Sequence, residues 1–114
     1  MPVEYKIFLN SSGIHFSEYP DFSDILHKAD IIYMTRVQKE RFSDPIEYEK
    51  NKNTYVLDNA ALENTRPNMR VLHPLPRVNE INVDVDNNPK AYYFTQALNG
   101  VFVRQAIIAK VLGL

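Results

Sequence analysis

The sequence predicts an α/β fold: a small three-layer domain with a mainly parallel sheet flanked by helices and a long C-terminal helix. Three observations carry that prediction. Asp30-Ile31-Ile32-Tyr33-Met34 is a continuous apolar run, the mark of a strand buried on both faces in a parallel sheet, and Met69-Arg70-Val71-Leu72 is apolar enough to be a second. Segments of helical composition separate the strand-like runs, which suggests βαβ units. From Ala91 to Leu112, residues Phe94, Leu98, Val101, Phe102, Gln105, Ile108 and Leu112 recur at three- and four-residue steps, the pattern of a long amphipathic helix.

The remaining elements follow in chain order. Pro2 to Leu9 carries Val3, Ile7 and Phe8 close to helical spacing and stops at Asn10-Ser11-Ser12-Gly13. Ile14-His15-Phe16-Ser17-Glu18-Tyr19 alternates at period two and is expected to be a short strand. Pro20-Asp21 opens a helix in which Phe22, Ile25 and Leu26 share a face, with Asp21 or Ser23 as the cap. Residues 35 to 53 are the most polar stretch and are expected to form a long loop containing at most a helical turn. Thr54-Tyr55-Val56-Leu57 has the composition of another short strand, and Asp58 caps a helix running to Asn64. His73-Pro74-Leu75-Pro76 stops the second buried strand abruptly.

Composition narrows the function. The 114 residues suffice for one domain, and 13 basic against 14 acidic side chains leave no basic field for nucleic acid or an anionic membrane. The absence of cysteine removes disulfides, thiolate metal sites and cysteine nucleophiles together. No apolar run approaches the roughly 18 residues of a membrane span and no signal segment opens the chain, so the cytoplasm is the expected compartment. Three glycines (Gly13, Gly100, Gly113) are too few and too scattered for a glycine-rich phosphate cradle. His15, His27 and His73 lack the spacing of metal ligands. Asp84-Val85-Asp86-Asn87-Asn88 imitates the start of a calcium loop, but Pro89 stands where the glycine belongs and Thr95 where the bidentate glutamate belongs. That stretch is expected only to turn the chain. No Ser/His/Asp triad can be assembled, and no metal site is expected.

Chemistry is therefore sought on the loops that leave the carboxyl ends of the parallel strands, where open sheets bind ligands. Thr35-Arg36-Val37-Gln38-Lys39-Glu40-Arg41 follows the first strand and His73-Pro74-Leu75-Pro76-Arg77 the second, so both open on one edge if the sheet is parallel. The first loop is rich in guanidinium, ammonium and amide donors that suit a carboxylate ligand; a solvated charged loop has the same composition. Two prolines stiffen the second, which can present bare carbonyls to a ligand amide or act simply as a rigid strand exit.

The two loops, followed by Ala91-Tyr92-Tyr93-Phe94 through Gly100-Val101-Phe102-Val103-Arg104-Gln105-Ala106, resemble the catalytic chain of the aspartate carbamoyltransferase family in order and spacing. The likeness covers the whole chain but only the C-terminal, aspartate-binding half of the family polypeptide. Ornithine enzymes are expected to have HCLP where this chain has His73-Pro74-Leu75-Pro76, which favours aspartate.

The resemblance implies that residues 1–114 are an aspartate-binding domain that transfers no group without a carbamoyl-phosphate domain. It implies that Arg36 and Gln38 hold the carboxylates of L-aspartate, while Pro74, Leu75 and Pro76 present carbonyls to the carbamoyl group and the amine across a cis Leu75–Pro76 bond. Arg41, Glu47 and Tyr48 would belong to a loop closing over the site, opposite Asn79 and Glu80; no catalytic side chain is assigned. Ser43 looks inserted, and Asn79 stands where aspartate is frequent, so the bracing of that closure differs from the common pattern. The family's Ser-Thr-Arg-Thr phosphate grip is missing, which points to a truncated form, a partial gene product or a piece of a longer polypeptide. The implied ligands are L-aspartate and carbamoyl phosphate, with no cofactor. The implied assembly is a homotrimer of full chains, with regulatory chains as an optional addition. A carbamoyltransferase for another amino acid, or a non-catalytic module keeping the fold, are the alternatives.

Overall fold

A computed structural model describes residues 1–36, 44, 46 and 55–114. Helix α1 (Val3–Ser11) ends where Gly13 takes a left-handed φ of 68°, a conformation that suits the residue lacking a Cβ. The expected strand at Ile14–Tyr19 does not form: no strand or bridge involves these residues, and Ile14 and Tyr19 are exposed. Period-two alternation alone cannot make a strand without a ladder partner. Instead Glu18 folds back on α1, accepting a 2.8 Å bond from the N-terminal amine and pairing with Lys6.

Helix α2 is a single turn, Ser23–Leu26, whose entry is fixed by Asp21 Oδ1 accepting from the Ser23 N–H at 2.9 Å. Strand β1 (Ile31–Tyr33) pairs in parallel with β2 (Arg70–Leu72), with Ile31 opposite Arg70, Ile32 opposite Val71 and Tyr33 opposite Leu72. The parallel pairing agrees with the sequence, but burial on both faces holds only for Val71 of β2. Ile31 and Tyr33 of β1 are more than half exposed, because β1 is an edge strand and only its Ile32 side is covered. On the other side of β2, Val71 donates to Lys90 O at 2.8 Å and accepts from the Tyr92 N–H at 3.0 Å, a parallel bridge that draws the start of the last helix to the sheet.

Between the strands lies α3 (Asn59–Leu62), capped as expected by Asp58, whose Oδ1 accepts from the Ala61 N–H at 2.9 Å. Of the expected strand before it, Thr54 lies outside the described residues and the rest contracts to one parallel bridge, Leu57 with Ile81. A 3₁₀-helix spans Val83–Asn87, so the calcium-like stretch does turn the chain. Among the described residues no cluster of metal-ligating side chains occurs. The core comprises Leu26, Met34, Leu57, Leu62, Met69, Val71, Ile81, Val85 and Tyr93, gathered around the β1–β2 pair.

Helix α4 (Tyr93–Leu112) confirms the periodic pattern and ends at Gly113 with φ 72°. Its apolar stripe, however, finds no cover: only Tyr93 is buried, and Phe94, Leu98, Val101, Phe102, Ile108 and Leu112 are exposed. The radius of gyration is 17.1 Å, against about 13 Å for a compact chain of this length. Among the described residues no helix is long and apolar enough to cross a membrane.

Candidate functional site

Parallel pairing sends the carboxyl ends of β1 and β2 to one edge of the sheet, and with them Thr35-Arg36 after β1 and the turn that starts at His73 after β2. Met34 prolongs the pairing by donating to Leu72 O at 2.9 Å, so Thr35 and Arg36 leave the sheet beside His73 and Pro74. Arg36 is exposed and, among the described residues, has no hydrogen-bond or ion-pair partner, which leaves its guanidinium fork open to a carboxylate. Gln38, Arg41, Ser43, Glu47 and Tyr48 lie outside the described residues.

The Pro74-Leu75-Pro76 turn is fixed from within. Leu75–Pro76 is cis, and Leu75 has φ 50°, a left-handed conformation that costs a non-glycine residue about 1–3 kcal/mol. Two contacts hold it there. The Leu75 N–H donates to His73 Nδ1 at 2.8 Å, and the half-buried Leu75 side chain packs against the core. Because Nδ1 accepts, the ring proton sits on Nε2, which donates to Glu80 Oε1 at 2.6 Å. His73 is thus a packed histidine, and one that shapes the turn.

Glu80 belongs to the same structure. Its side chain is buried, and besides His73 it accepts from the backbone N–H groups of Val78 and Asn79, each at 3.1 Å. Burial acts to raise its carboxyl pKa, but the backbone N–H groups of Glu80 and Val78, and then His73, outweigh it and hold the pKa below the ordinary value. The carboxylate braces residues 73–80 rather than pointing out of them. Asn79, next to it, is exposed.

A second brace went unseen in the sequence. Arg77 forms a bidentate pair with Asp86, one arm at 2.6 Å, and donates to the Tyr93 hydroxyl at 3.1 Å, while that hydroxyl donates to Asp86 at 2.5 Å. The turn is thereby clamped to both the 3₁₀-helix and the first residue of α4. Burial pushes the Tyr93 hydroxyl pKa up to about 12, with Asp86 adding to the shift and Arg77 opposing it. A raised tyrosine pKa contributes stability that is whole below about pH 10 and lost as pH climbs towards 12. Between pH 9.5 and 11.5 the unfolding free energy of the wild-type chain should therefore fall by on the order of 2 kcal/mol more than that of Tyr93→Phe. Denaturant titrations at the two pH values check this; equal losses would contradict it.

The chain matches the family described as aspartate/ornithine carbamoyltransferase, Asp/Orn binding domain, over residues 4–111. It belongs to that family. Among carbamoyltransferases, it is 60% identical over 115 residues to the aspartate carbamoyltransferase catalytic subunit of Bacteroides thetaiotaomicron, covering 100% of this chain and 37% of that one. The catalytic subunit of Clostridium novyi is 53% identical, with 99% and 37% covered. In structure it superposes on the catalytic subunit of M. jannaschii aspartate transcarbamoylase with a TM-score of 0.88 at 41% identity, covering 99% of this chain and 37% of that one. Aspartate transcarbamoylase from Trypanosoma cruzi, solved in complex with N-(phosphonacetyl)-L-aspartic acid, gives 0.77 at 31% identity, with 93% and 34% covered. The chain thus spans little more than a third of the carbamoyltransferases it resembles.

Proposed function

We propose that this chain is the aspartate-binding part of an aspartate carbamoyltransferase, which moves the carbamoyl group of carbamoyl phosphate onto L-aspartate. The observation that carries the reading is the placement of Arg36 and the Pro74-Leu75-Pro76 turn side by side on the carboxyl edge of one parallel strand pair. A free guanidinium fork there suits a dicarboxylate, and a rigid row of carbonyls suits an amide and an amine. The Trypanosoma cruzi enzyme, solved with carbamoyl phosphate and with aspartate plus phosphate, lends support for both ligands.

In the proposed reaction the amine nitrogen of aspartate bonds to the carbonyl carbon of carbamoyl phosphate, and a tetrahedral oxyanion forms. The bond from that carbon to the bridging oxygen then breaks, and that oxygen leaves as part of the phosphate. The amine proton leaves with the phosphate, so no side chain of this chain need act as general base. Arg36 and Gln38 hold the carboxylates of aspartate, Pro74, Leu75 and Pro76 align amine and carbamoyl amide, Arg41, Glu47, Tyr48 and Asn79 serve closure, and Glu80, turned inward, braces the turn instead. The rate gain comes from holding amine and carbonyl in contact, an effect of orientation. No step requires a metal or organic cofactor. The remaining phosphate-binding part completes the site, in a cytoplasmic homotrimer of full chains, with or without regulatory chains, that serves pyrimidine synthesis.

Acceptor choice tests the reading. These 114 residues can replace the matching stretch of the Bacteroides thetaiotaomicron subunit, and the hybrid can be offered carbamoyl phosphate with L-aspartate or L-ornithine. Faster formation of N-carbamoyl-L-aspartate is expected; faster turnover of ornithine would overturn the assignment.

A further inference from the structure

Among the described residues, the Gln96 side chain bonds both the end of β1 and the start of the turn that follows β2. Gln96 sits in the first turn of α4, half-buried, where its backbone N–H bonds Tyr92 O at 2.8 Å. That turn is the firmly held end of the helix: Tyr92 donates to Val71 O, and the adjacent Tyr93 is fully buried in the Arg77–Asp86 clamp. From this anchor the Gln96 carboxamide accepts from the His73 N–H at 3.0 Å and donates to the Tyr33 hydroxyl at 3.3 Å. The His73 N–H can only donate, so the carboxamide oxygen must face it and the NH₂ must face Tyr33. Tyr33 closes β1 three residues before Arg36; His73 opens the turn whose carbonyls are Pro74 to Pro76.

We propose that Gln96 is a positioning residue that sets the distance between the Arg36 loop and the Pro74–Pro76 carbonyls by bonding the backbone of one strand end and the side chain of the other. The assignment rests on the carbamoyl-transfer reading given above. The β1–β2 ladder ends at the Met34 to Leu72 bond, and beyond it the Gln96 carboxamide links α4 to both strand ends. A carboxamide anchored in a third element fixes both exits at once. Displacing either by about 1 Å would separate the bound aspartate from the carbonyls meant to align its amine, an error that costs oriented reactions on the order of 100-fold. Its arms differ in consequence. The Tyr33 arm steadies the loop that holds aspartate; the His73 arm steadies the turn that aligns the reacting groups.

The hybrid subunit described above, with its wild-type activity measured first, provides the test. Gln96→Met keeps the length of the side chain and removes both bonds. It should lower kcat and raise the aspartate KM, for a combined loss of roughly 10-fold in kcat/KM, with the fold intact by circular dichroism. Tyr33→Phe removes one arm and should raise the aspartate KM with little change in kcat. The double variant should be no worse than Gln96→Met, because the Tyr33 hydroxyl acts through Gln96. Gln96→Glu should recover most of the loss, since a carboxylate accepts from the His73 N–H and from the Tyr33 hydroxyl alike. A kcat and KM unmoved by Gln96→Met, or single-variant losses that simply add, would overturn the proposal while leaving the reaction assignment standing. Hydrogen exchange keeps the proposal testable should the hybrid fail to turn over aspartate, the outcome that counts against the reaction itself. Gln96→Met should speed exchange in the peptides covering both residues 33–36 and 73–80, and faster exchange in neither or in only one would contradict a bridge.

Discussion

Arg36→Ala in a complete enzyme carrying this chain should lower kcat/KM for aspartate by roughly 30-fold to several thousand-fold, the equivalent of about 2–5 kcal/mol. The size follows from the proposed role, in which the substitution would leave a desolvated carboxylate without its bidentate partner. Arg36→Lys should recover only part of the loss, since a single ammonium restores the charge but not the two parallel N–H bonds. Steady-state kinetics with aspartate as the varied substrate distinguish the variants. An unchanged KM and kcat in Arg36→Ala would remove this residue from the site.

The second large effect is on stability. Glu80→Ala should cost about 2–4 kcal/mol, because it strands the buried His73 Nε2–H and the N–H groups of Val78 and Asn79 at once. Glu80→Gln keeps an acceptor and should lose about half as much or less. Chemical denaturation above pH 6 measures both, and a wild-type-like midpoint for Glu80→Ala would contradict the brace. The pH dependence has a definite sign. With the carboxyl pKa held below its ordinary value, the stabilisation from Glu80 is whole above about pH 4.5 and disappears as pH falls through the lower folded value. In Glu80→Gln that acid-side loss should be smaller. Because the same carboxylate sets the His73 ring against the Leu75 N–H, kcat in the complete enzyme should fall with stability.

The elements that were legible in the sequence are those governed by local rules. The Asp58 cap, the Gly13 stop and the stripe of α4 depend on neighbours within about one or two helical turns, and all appear where the residues place them. The shared edge of Thr35-Arg36 and the turn from His73 followed from parallel strands alone. Pairing was less legible: Ile14–Tyr19 alternates like a strand but finds no ladder, and Ile31 and Tyr33 look like core yet lie on an open edge. Alternation and apolarity describe what a strand could bury, whereas its neighbours decide whether it does.

At the candidate site, Arg36 and the Pro74–Pro76 turn stand out in the sequence because a fork of donors and a pair of prolines are unusual in themselves. The supports do not. Asp86 appeared only as part of a turn-forming run, Tyr93 as the start of a helix, and Gln96 fell off the apolar stripe. Each acts across 9 to 63 residues of sequence on a group that has no recurring local pattern. Such contacts become visible only when α4 is seen to begin against β2. The same geometry explains why the remainder of α4 is bare. Its apolar stripe runs on past the point where the described residues place anything against it.

A divided active site is the central claim, and product formation tests it most directly. The purified 114-residue chain, incubated with carbamoyl phosphate and L-aspartate, should give no N-carbamoyl-L-aspartate, because it offers no helix-opening phosphate motif. Addition of the separately expressed phosphate-binding part of the Bacteroides thetaiotaomicron subunit should produce it. Turnover by the chain alone would contradict the account, as would a bound pair of parts that forms no product.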